Sequence, residues 1–472
     1  MSRTARDAVL VGLCWAASRV IALLCLEAPV TIAFDEAQYL EESFLLASGA
    51  PAEFYKGPFV YLLAGGGMLF APARAAARAV ALLMDLLLVA GFWLSVRRDD
   101  RMTATAGAML LACCPLAAWF SLHLLTDVPF AAFSFLCVHA FSRGATPRAS
   151  LEAAVWLCAA MLVKSTALLL APALVLCAVL QRRSARGLVV PLAAGAAVYA
   201  ALPLVWSRTS DATFIGALPW MSFRCGLLYF PLAALIAAGP AITIGAAWRF
   251  VGPGRGASAT GALCALLILA GAYTVFGDPQ PKYVVTLAPF LALPAAQVLS
   301  RARPALIVVC IAASMAMVVP VVRLMEADTW MADTARYLGS LPLEAIHTTI
   351  PEGVHRHAFA GALRFSNPES GARPLRTASA LEGPMAIWTD YTGDPGALEA
   401  RLSTSGLPWR RLDVYTNRND RPVYLVGLDA PDPERLRWEP NILTSAFVTP
   451  LDAPIRAAKR AAKSFTQPSR KE

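Results

Sequence analysis

Carboxylates and a lysine occur close together near the start of this 472-residue chain, between long apolar stretches. Asp35 and Glu36 follow one apolar run and are followed by Tyr39; Tyr55 and Lys56 come about twenty residues later. A carboxylate can accept a proton from a hydroxyl group, and a lysine can hold an anion. These residue types therefore suit proton transfer beside a bound anion.

Three later segments repeat this combination. His123 and Asp127 stand in a polar interruption that ends in Asp-Val-Pro, Lys164 interrupts an otherwise apolar stretch, and Lys282-Tyr283 precedes another apolar run. If all of these positions lie on one side of a membrane, they form a single group of carboxylates, cations and aromatic rings.

Each segment also has a simpler interpretation. The pair Asp35-Glu36 suits a solvated helix start, where the helix dipole favours acids. Lys164 at the end of a span can extend its ammonium to the interface. His123 lies four residues before Asp127, a spacing at which the two side chains hydrogen bond along one helix, and we favour that arrangement over metal ligation.

Arg19 and Asp85 lie inside predicted spans, where a charge is usually functional. Asp85 is compatible with a polar packing contact or with a site, and the sequence does not choose between them. The ten cysteines lie in or beside apolar runs and read as small core residues.

The composition excludes an ordinary soluble or disordered protein. Hydrophobic residues make up 57% of the chain and charged residues only 15%, whereas about a quarter of an average soluble chain is charged. We therefore expect an α-helical polytopic membrane protein. The apolar runs end near residue 325, which divides the chain into a membrane domain (1–325), a soluble domain (about 326–450) and a basic tail (451–472) that we expect to be disordered and to contact anionic lipid.

About eleven spans are predicted, and the segment 58–71 is treated as interfacial or re-entrant because it has too few apolar residues to cross. The spans are predicted at 8–26, 76–96, 102–122, 127–142, 150–163, 165–181, 187–206, 225–248, 260–276, 283–300 and 304–325. With this count, fourteen arginines fall in six short segments on one side, which the positive-inside rule places in the cytoplasm. The net charge of +9 is then largely explained by the arginines on the cytoplasmic side of the membrane, and it requires no nucleic-acid partner.

The soluble domain shows mixed patterns and is predicted to be a small extracytoplasmic α/β domain. Helices are expected at Asp328–Leu341 and Pro395–Ser405, and strands at Met385–Thr389, Leu412–Thr416 and Val423–Gly427. No catalytic motif is recognisable in this part of the sequence.

Five short motifs in the membrane domain together resemble one family, the GT-C glycosyltransferases related to dolichyl-phosphate-mannose protein mannosyltransferases and to the lipid A aminoarabinose transferase. The resemblance covers roughly residues 8–325. The motifs are Asp35-Glu36-Ala-Gln-Tyr39, Tyr55-Lys56-Gly57-Pro58, Thr126-Asp127-Val-Pro129, Leu162-Val-Lys164-Ser165 and Pro281-Lys282-Tyr283. Tyr55 stands where the aminoarabinose branch has a glutamate.

The resemblance implies transfer of a sugar from a polyprenyl-phosphate donor to a hydroxyl of a lipid, glycan or protein acceptor, with inversion, on the extracytoplasmic face. It makes Asp35 the general base, with Glu36 and Asp127 shaping the pocket. The donor phosphate and substrates are assigned to Lys56, Lys164, Arg208, Lys282, Tyr39, Tyr55, His123 and Tyr283. No metal ligand is assigned and no cofactor is certain, although a divalent cation is compatible with this chemistry.

Two other functions remain open. A transporter or flippase of a lipid-linked sugar predicts matched broken helices in two halves, and the glycine triplet at 65–67 has no counterpart near 230–300. An oligosaccharyl transferase or ligase with a diphosphate-linked donor predicts a metal held by several acids. The Ala- and Arg-rich composition suggests a bacterial inner membrane. The oligomeric state is not indicated.

Overall fold

The computed structural model describes residues 2–26, 34–52, 56–144, 146–205, 229–252, 256–276, 282–326, 330–366, 373–412, 421–431 and 433. Apolar helices occupy these residues as far as 326, and a small α/β domain follows. Tyr55, Arg208 and the predicted tail lie outside the described residues.

The helices of the membrane domain follow the apolar runs. They are α1 Arg3–Leu24, α2 Phe34–Ala47, α3 Phe59–Met68, α4 Ala73–Val96, α5 Arg101–Ala112, α6 Pro115–Phe120, α7 Asp127–Arg143, α8 Pro147–Val163, a 3-10 turn Ser165–Leu169, α9 Leu170–Leu180, α10 Arg186–Val205, α11 Tyr229–Ala237, α12 Pro240–Val251, α13 Ala257–Phe276, α14 Lys282–Leu299 and α15 Pro304–Glu326.

Among the described helices, five are both long and apolar enough to cross a membrane, namely α1, α4, α13, α14 and α15. Helix α3 has ten residues. At a rise of about 1.5 Å per residue it is roughly 15 Å long, half the thickness of a hydrocarbon core. The segment 58–71 therefore does not contain a spanning helix.

Two segments that were predicted as single helices are interrupted. Within the run 102–122, helix α5 ends at Ala112 and helix α6 begins at Pro115. The proline ring disfavours a continuous helix at this point. The run 225–248 breaks between α11 and α12 at Gly239, whose φ of 98° lies in the region that favours glycine.

Arg19 and Asp85 form a buried ion pair that stabilises the first of these interruptions. The Arg19 Nη2 to Asp85 Oδ1 distance is 2.6 Å, and Arg19 Nε donates to Asp85 Oδ2 at 2.9 Å. Arg19 Nη1 also donates to the carbonyl of Ala112, which also accepts from Ser18 Oγ. A carbonyl released at a helix break needs such donors inside a membrane. These two charges are therefore explained by the fold.

Helices α7 and α14 form the centre of the membrane domain. Helix α7 is buried over nearly its whole length and packs against α4, α8, α13 and α14; helix α14 packs in addition against α5 and α12. Asp127 is the first residue of α7 and Lys282 the first of α14. Both charges therefore stand at the ends of well-packed helices, which restricts their movement.

The soluble domain contains a five-stranded mixed sheet with helices. Its elements are α16 Trp330–Ser340, β1 Ile346–Thr348, α17 Val354–Ser366, β2 Leu375–Thr377, β3 Met385–Trp388, a 3-10 turn Tyr391–Gly393, α18 Pro395–Thr404, β4 Trp409–Leu412 and β5 Val423–Val426. The strand order is β2-β1-β3-β5-β4, with β2, β1 and β3 parallel and the β3–β5 and β5–β4 pairs antiparallel. The predicted strand Leu412–Thr416 in fact begins at Trp409; residues 413–416 lie outside the described part of the chain.

Helix α17 attaches the soluble domain to α2. A Cβ on Gly361 would lie 2.0 Å from the carbonyl oxygen of Ala37, so only a glycine permits this approach. Arg364 donates to both carboxylate oxygens of Glu41, at 2.8 and 3.1 Å, and its guanidinium lies 4.2 Å from the ring centre of Phe44. The soluble domain therefore holds the helix that carries Asp35 and Glu36.

Candidate active site

Asp35 and Lys282 form an ion pair between α2 and α14. Lys282 Nζ donates to Asp35 Oδ2 at 2.5 Å, and the side chains are 19% and 26% exposed, respectively. Burial alone would raise the pKa of Asp35, but the charge of Lys282, with Lys56 and Lys164 farther away, holds that pKa below its ordinary value. Asp35 is therefore ionised at neutral pH and still open to a substrate.

Asp127 and Lys164 form a second ion pair deeper in the same site. Lys164 Nζ donates to Asp127 Oδ1 at 2.7 Å, with the side chains 6% and 1% exposed, respectively. Lys164 is the C-cap residue of α8 and has a β-type backbone conformation. Its ammonium group points to the Asp127 carboxylate and not to solvent. Its charge is thus largely neutralised within the protein.

Gly57 brings the segment of Lys56 against the backbone that precedes Lys164. The Gly57 N–H donates to the carbonyl of Val163 at 3.0 Å, and a Cβ at Gly57 would lie 2.2 Å from the carbonyl oxygen of Leu162. Lys56 is partly buried and lies within electrostatic range of Asp35 and Lys164. Lys56, Lys164 and Lys282 thus converge on two carboxylates, and we call these five residues the lysine cluster.

Glu36 faces a different part of the protein. Its Oε2 lies 2.6 Å from His123 Nδ1, and its Oε1 accepts the N–H of Leu124 at 2.9 Å. The His123 ring lies against Trp119, with ring centres 4.0 Å apart. Burial favours a higher pKa for Glu36, but His123, the charge of Arg78 and the Leu124 N–H hold that pKa below its ordinary value. Glu36 thus anchors the connection between α6 and α7.

The predicted hydrogen bond between His123 and Asp127 is not formed. Helix α6 ends at Phe120 and α7 begins at Asp127, so the two residues do not share a helix. His123 bonds Glu36 instead, and its buried Nε2 has no hydrogen-bond partner among the described residues. The side chain therefore keeps one free ring nitrogen inside the site.

Tyrosines line the space around the carboxylates. Tyr39 is buried, packs edge-to-face on Tyr61 at 5.3 Å between ring centres, and its hydroxyl lies 3.4 Å from Thr126 Oγ1. Burial raises the pKa of Tyr39 well above its ordinary value, and the charge of Asp35 adds to the effect. Tyr39 is therefore a neutral hydrogen-bonding group.

A cluster of aromatic rings adjoins Lys282. Tyr283 stacks on Tyr273 with ring centres 4.2 Å apart, and Phe230 lies near both. The Tyr273 hydroxyl is buried and has no hydrogen-bond partner in the part of the chain that the structure describes. Tyr273, Phe230 and Tyr61 were not among the predicted site residues, since each lies inside an apolar helix, where an aromatic ring is typical of the hydrophobic core.

The structure thus brings together most of the predicted site residues. Asp35, Lys56, Asp127, Lys164 and Lys282 share one cluster. Glu36, His123, Tyr39 and Tyr283 border it. Among the described residues, no three His, Cys, Asp or Glu side chains are arranged so that they would hold a metal ion.

Part of the sequence and the fold of the chain resemble those of known proteins. The sequence model of the family described as dolichyl-phosphate-mannose-protein mannosyltransferase matches residues 56–206. ArnT from Cupriavidus metallidurans bound to undecaprenyl phosphate superimposes with a TM-score of 0.62 at 15% identity, over 91% of this chain and 100% of that chain. In fold, and in the part of its sequence that the family model matches, the chain resembles the GT-C membrane glycosyltransferases.

Two further solved structures show the same GT-C fold. The apo structure of ArnT from Cupriavidus metallidurans has a TM-score of 0.59 at 16% identity, over 91% of this chain and 100% of that chain. The oligosaccharyltransferase AglB from Archaeoglobus fulgidus, in complex with an inhibitory peptide and a dolichol-phosphate, has a TM-score of 0.51 at 13% identity, over 79% of this chain and 65% of that one. A search of curated protein sequences found no match. The expected resemblance to GT-C glycosyltransferases is confirmed, and so is the expectation of a multi-pass membrane protein.

Proposed function

We propose that the chain transfers a sugar from a polyprenyl-monophosphate donor to a hydroxyl group of an acceptor, with Asp35 as the general base. The observation that carries the proposal is the lysine cluster, in which an ionised and partly exposed carboxylate touches Lys282 beside Lys56 and Lys164. Structures similar to this chain hold undecaprenyl phosphate and dolichol-phosphate, which supports a lipid-phosphate donor.

The charge of the cluster favours one phosphate over two. Each carboxylate of the cluster is paired with one lysine, Asp35 with Lys282 and Asp127 with Lys164, so these two pairs have little positive charge to offer a second phosphate. A sugar linked through one phosphate to a polyprenyl chain is a diester with a single negative charge, whereas a diphosphate carries at least two. We therefore favour a monophosphate donor over the diphosphate donor of an oligosaccharyl transferase.

The proposed reaction is one direct displacement. The acceptor hydroxyl attacks the anomeric carbon and transfers its proton to Asp35, while the bond from that carbon to the phosphate oxygen breaks. The bonding electrons leave with the phosphate, which gains negative charge and is stabilised by the lysines. A single displacement inverts the anomeric configuration. Since nothing in the cluster gathers metal ligands, we assign no step to a metal ion.

Lys282 connects the two halves of this reaction. In the free protein its ammonium is shared with Asp35 at 2.5 Å. A bound phosphate attracts the ammonium, and the charge that lowers the basicity of Asp35 is then partly withdrawn. Asp35 becomes a better base when a donor is present, and its proton uptake is tied to phosphate binding. Tyr39, Tyr273 and His123 Nε2 would supply hydrogen-bonding groups to the sugar or acceptor.

The remaining assignments follow from the sequence. The active site would face the extracytoplasmic side of a bacterial inner membrane, and the acceptor would be a lipid, glycan or protein hydroxyl. Glu36 and Asp127 would shape the pocket, with Tyr55 and Arg208 as further substrate-binding residues from segments outside the described part of the chain.

The test is sugar transfer by purified protein from a radiolabelled panel of polyprenyl-monophosphate and polyprenyl-diphosphate sugars. Asp35→Asn should lower kcat by about 10²- to 10⁴-fold, the usual range for loss of a general base. Asp394→Asn is the matched control, because Asp394 caps α18 in the soluble domain and Asn caps a helix equally well. Unchanged transfer in Asp35→Asn would remove Asp35 as base. Activity only with diphosphate donors would overturn the monophosphate assignment, and lipid movement without transfer would favour a flippase.

A further inference from the structure

Two arginines at the start of helix α4 have no partner within the described structure. Arg74 and Arg78 are partly buried, and neither forms an ion pair or a hydrogen bond with another described residue. Nη2 of Arg74 and Nη1 of Arg78 are shielded from solvent and have no acceptor among the described residues. A buried donor without an acceptor costs free energy, and more when it is charged. An acceptor for these two nitrogen atoms would therefore be stabilising.

The surroundings add to this cost. Arg74 and Arg78 are four residues apart on one helix, where like charges repel, and they lie in its first two turns, where the helix dipole disfavours cations. A third guanidinium, that of Arg336 on α16, lies within electrostatic range of Arg74 and is paired with Asp333 three residues earlier. Three positive charges thus converge where the membrane domain meets the soluble domain.

Glu36 compensates for these charges only in part. Its carboxylate lies within electrostatic range of both Arg74 and Arg78, but its hydrogen bonds to described residues go to His123 and to the Leu124 N–H and not to either guanidinium group. All three unfavourable terms would be relieved at once by a single anion placed between the guanidinium groups. Planar guanidinium forks bind phosphate and carboxylate oxygens in pairs.

We propose that Arg74, Arg78 and Arg336 form a second anion-binding site, separate from the lysine cluster, that takes the phosphate or carboxylate group of an acceptor substrate or of a phospholipid headgroup. The separation follows from helix geometry. Asp35 and Glu36 are consecutive residues of α2, about 100° apart around the helix axis. Asp35 faces the lysines, and Glu36 faces His123 and the arginines.

The first test needs no sugar transfer and so does not depend on the proposed function. Full-length protein in neutral phosphatidylcholine nanodiscs is melted with and without inorganic phosphate. Phosphate should raise the Tm of the wild type, and Arg78→Gln should lose most of that shift, with phosphate binding about tenfold weaker. Arg303→Gln, an exposed arginine at the start of α15, controls for the general stabilising effect of phosphate.

Without phosphate, Arg78→Gln should melt no lower than the wild type, because the substitution removes an unpaired buried charge. Equal phosphate shifts in the wild type, Arg78→Gln and Arg303→Gln would overturn the proposal. A lower Tm of Arg78→Gln in phosphate-free buffer, with an unchanged phosphate shift, would also overturn it.

Two further arms distinguish the sources of the anion. If a headgroup supplies it, replacing phosphatidylcholine by phosphatidylglycerol should raise the Tm of the wild type and not that of Arg78→Gln. If the acceptor supplies it, phosphatidylglycerol should have no such effect, and Arg78→Gln should raise the KM for the acceptor about tenfold with little change in kcat. This last arm rests on the proposed transferase activity, and its failure would leave the phosphate result intact.

Discussion

Gly57→Ala tests whether the position of Lys56 is set by the close approach of two backbone segments. The added Cβ would stand 2.2 Å from the carbonyl oxygen of Leu162 and 2.9 Å from the carbonyl carbon of Val163. A C···O contact requires about 3.3 Å, so the segment must retreat by roughly 1 Å. Because the obstacle is backbone, no side chain can rotate away, and the Gly57 N–H bond to Val163 is lost as well.

The retreat moves Lys56 with Gly57. With an effective dielectric constant near 20, two unit charges about 4 Å apart interact by roughly 4 kcal/mol, and about 0.8 kcal/mol is lost at 5 Å. That loss alone lowers kcat about fourfold, and a 1 Å displacement of catalytic groups can cost as much as about 10²-fold. We therefore expect kcat to fall by a factor between about 4 and 100. Overpacking and the lost hydrogen bond together should cost roughly 2–4 kcal/mol of stability.

Gly66→Ala is the matched control. Gly66 lies in α3, nine residues after Gly57, and a Cβ there would meet nothing within 4 Å. Alanine is favoured over glycine inside a helix, so this variant should be as stable as the wild type or slightly more so. Steady-state kinetics and thermal unfolding of both variants are compared. Wild-type kcat in Gly57→Ala would refute the reasoning, because Lys56 would then act without the close approach, or not act at all.

Two further predictions concern helix α2, which carries Asp35 and Ala37. Lys282→Met removes the charge that most strongly lowers the pKa of Asp35. Because burial is then less opposed, the pKa of Asp35 rises, and the acidic limb of the kcat/KM–pH profile should move to higher pH. An unmoved limb would show that Asp35 is not the titrating base. Gly361→Ala places a Cβ 2.0 Å from the carbonyl oxygen of Ala37 and should lower kcat at least tenfold by displacing α2, whereas Gly396→Ala, whose Cβ has space in the soluble domain, should have wild-type kinetics.

Topology made much of the site predictable. Asp35 and Lys282 are 247 residues apart, and only the placement of alternate connections on one side of the membrane suggested that they meet. That argument brings residues to one face, but it does not choose partners within the face. The sequence predicted a break between the spans 102–122 and 127–142, but it did not indicate that Glu36 on α2 packs against this break and pairs with His123.

Other features were beyond the reach of sequence patterns. Strands β1 and β2 have three residues each, too few for the alternation that identifies a strand. Arg19 and Asp85 each looked like an isolated charge, because their partnership depends on how α1 packs beside α4 and α5. Arg74 and Arg78 do not stand out in the sequence, since the unsatisfied state of a nitrogen atom depends on the side chains packed around it.

The acidic residues of α2 suggest why the soluble domain matters for chemistry in the membrane domain. The helix has four carboxylates, and each faces a basic side chain outside α2: Asp35 with Lys282, Glu36 with His123, Glu41 with Arg364 and Glu42 with His357. Two of these contacts come from the membrane domain and two from α17. A helix held from both sides cannot rotate about its axis without breaking several contacts at once. Because Asp35 and Glu36 point in different directions, such a rotation would displace both the lysine cluster and the connection that carries His123. The contacts at Glu41 and Glu42, remote from any reacting atom, therefore fix the direction in which Asp35 points.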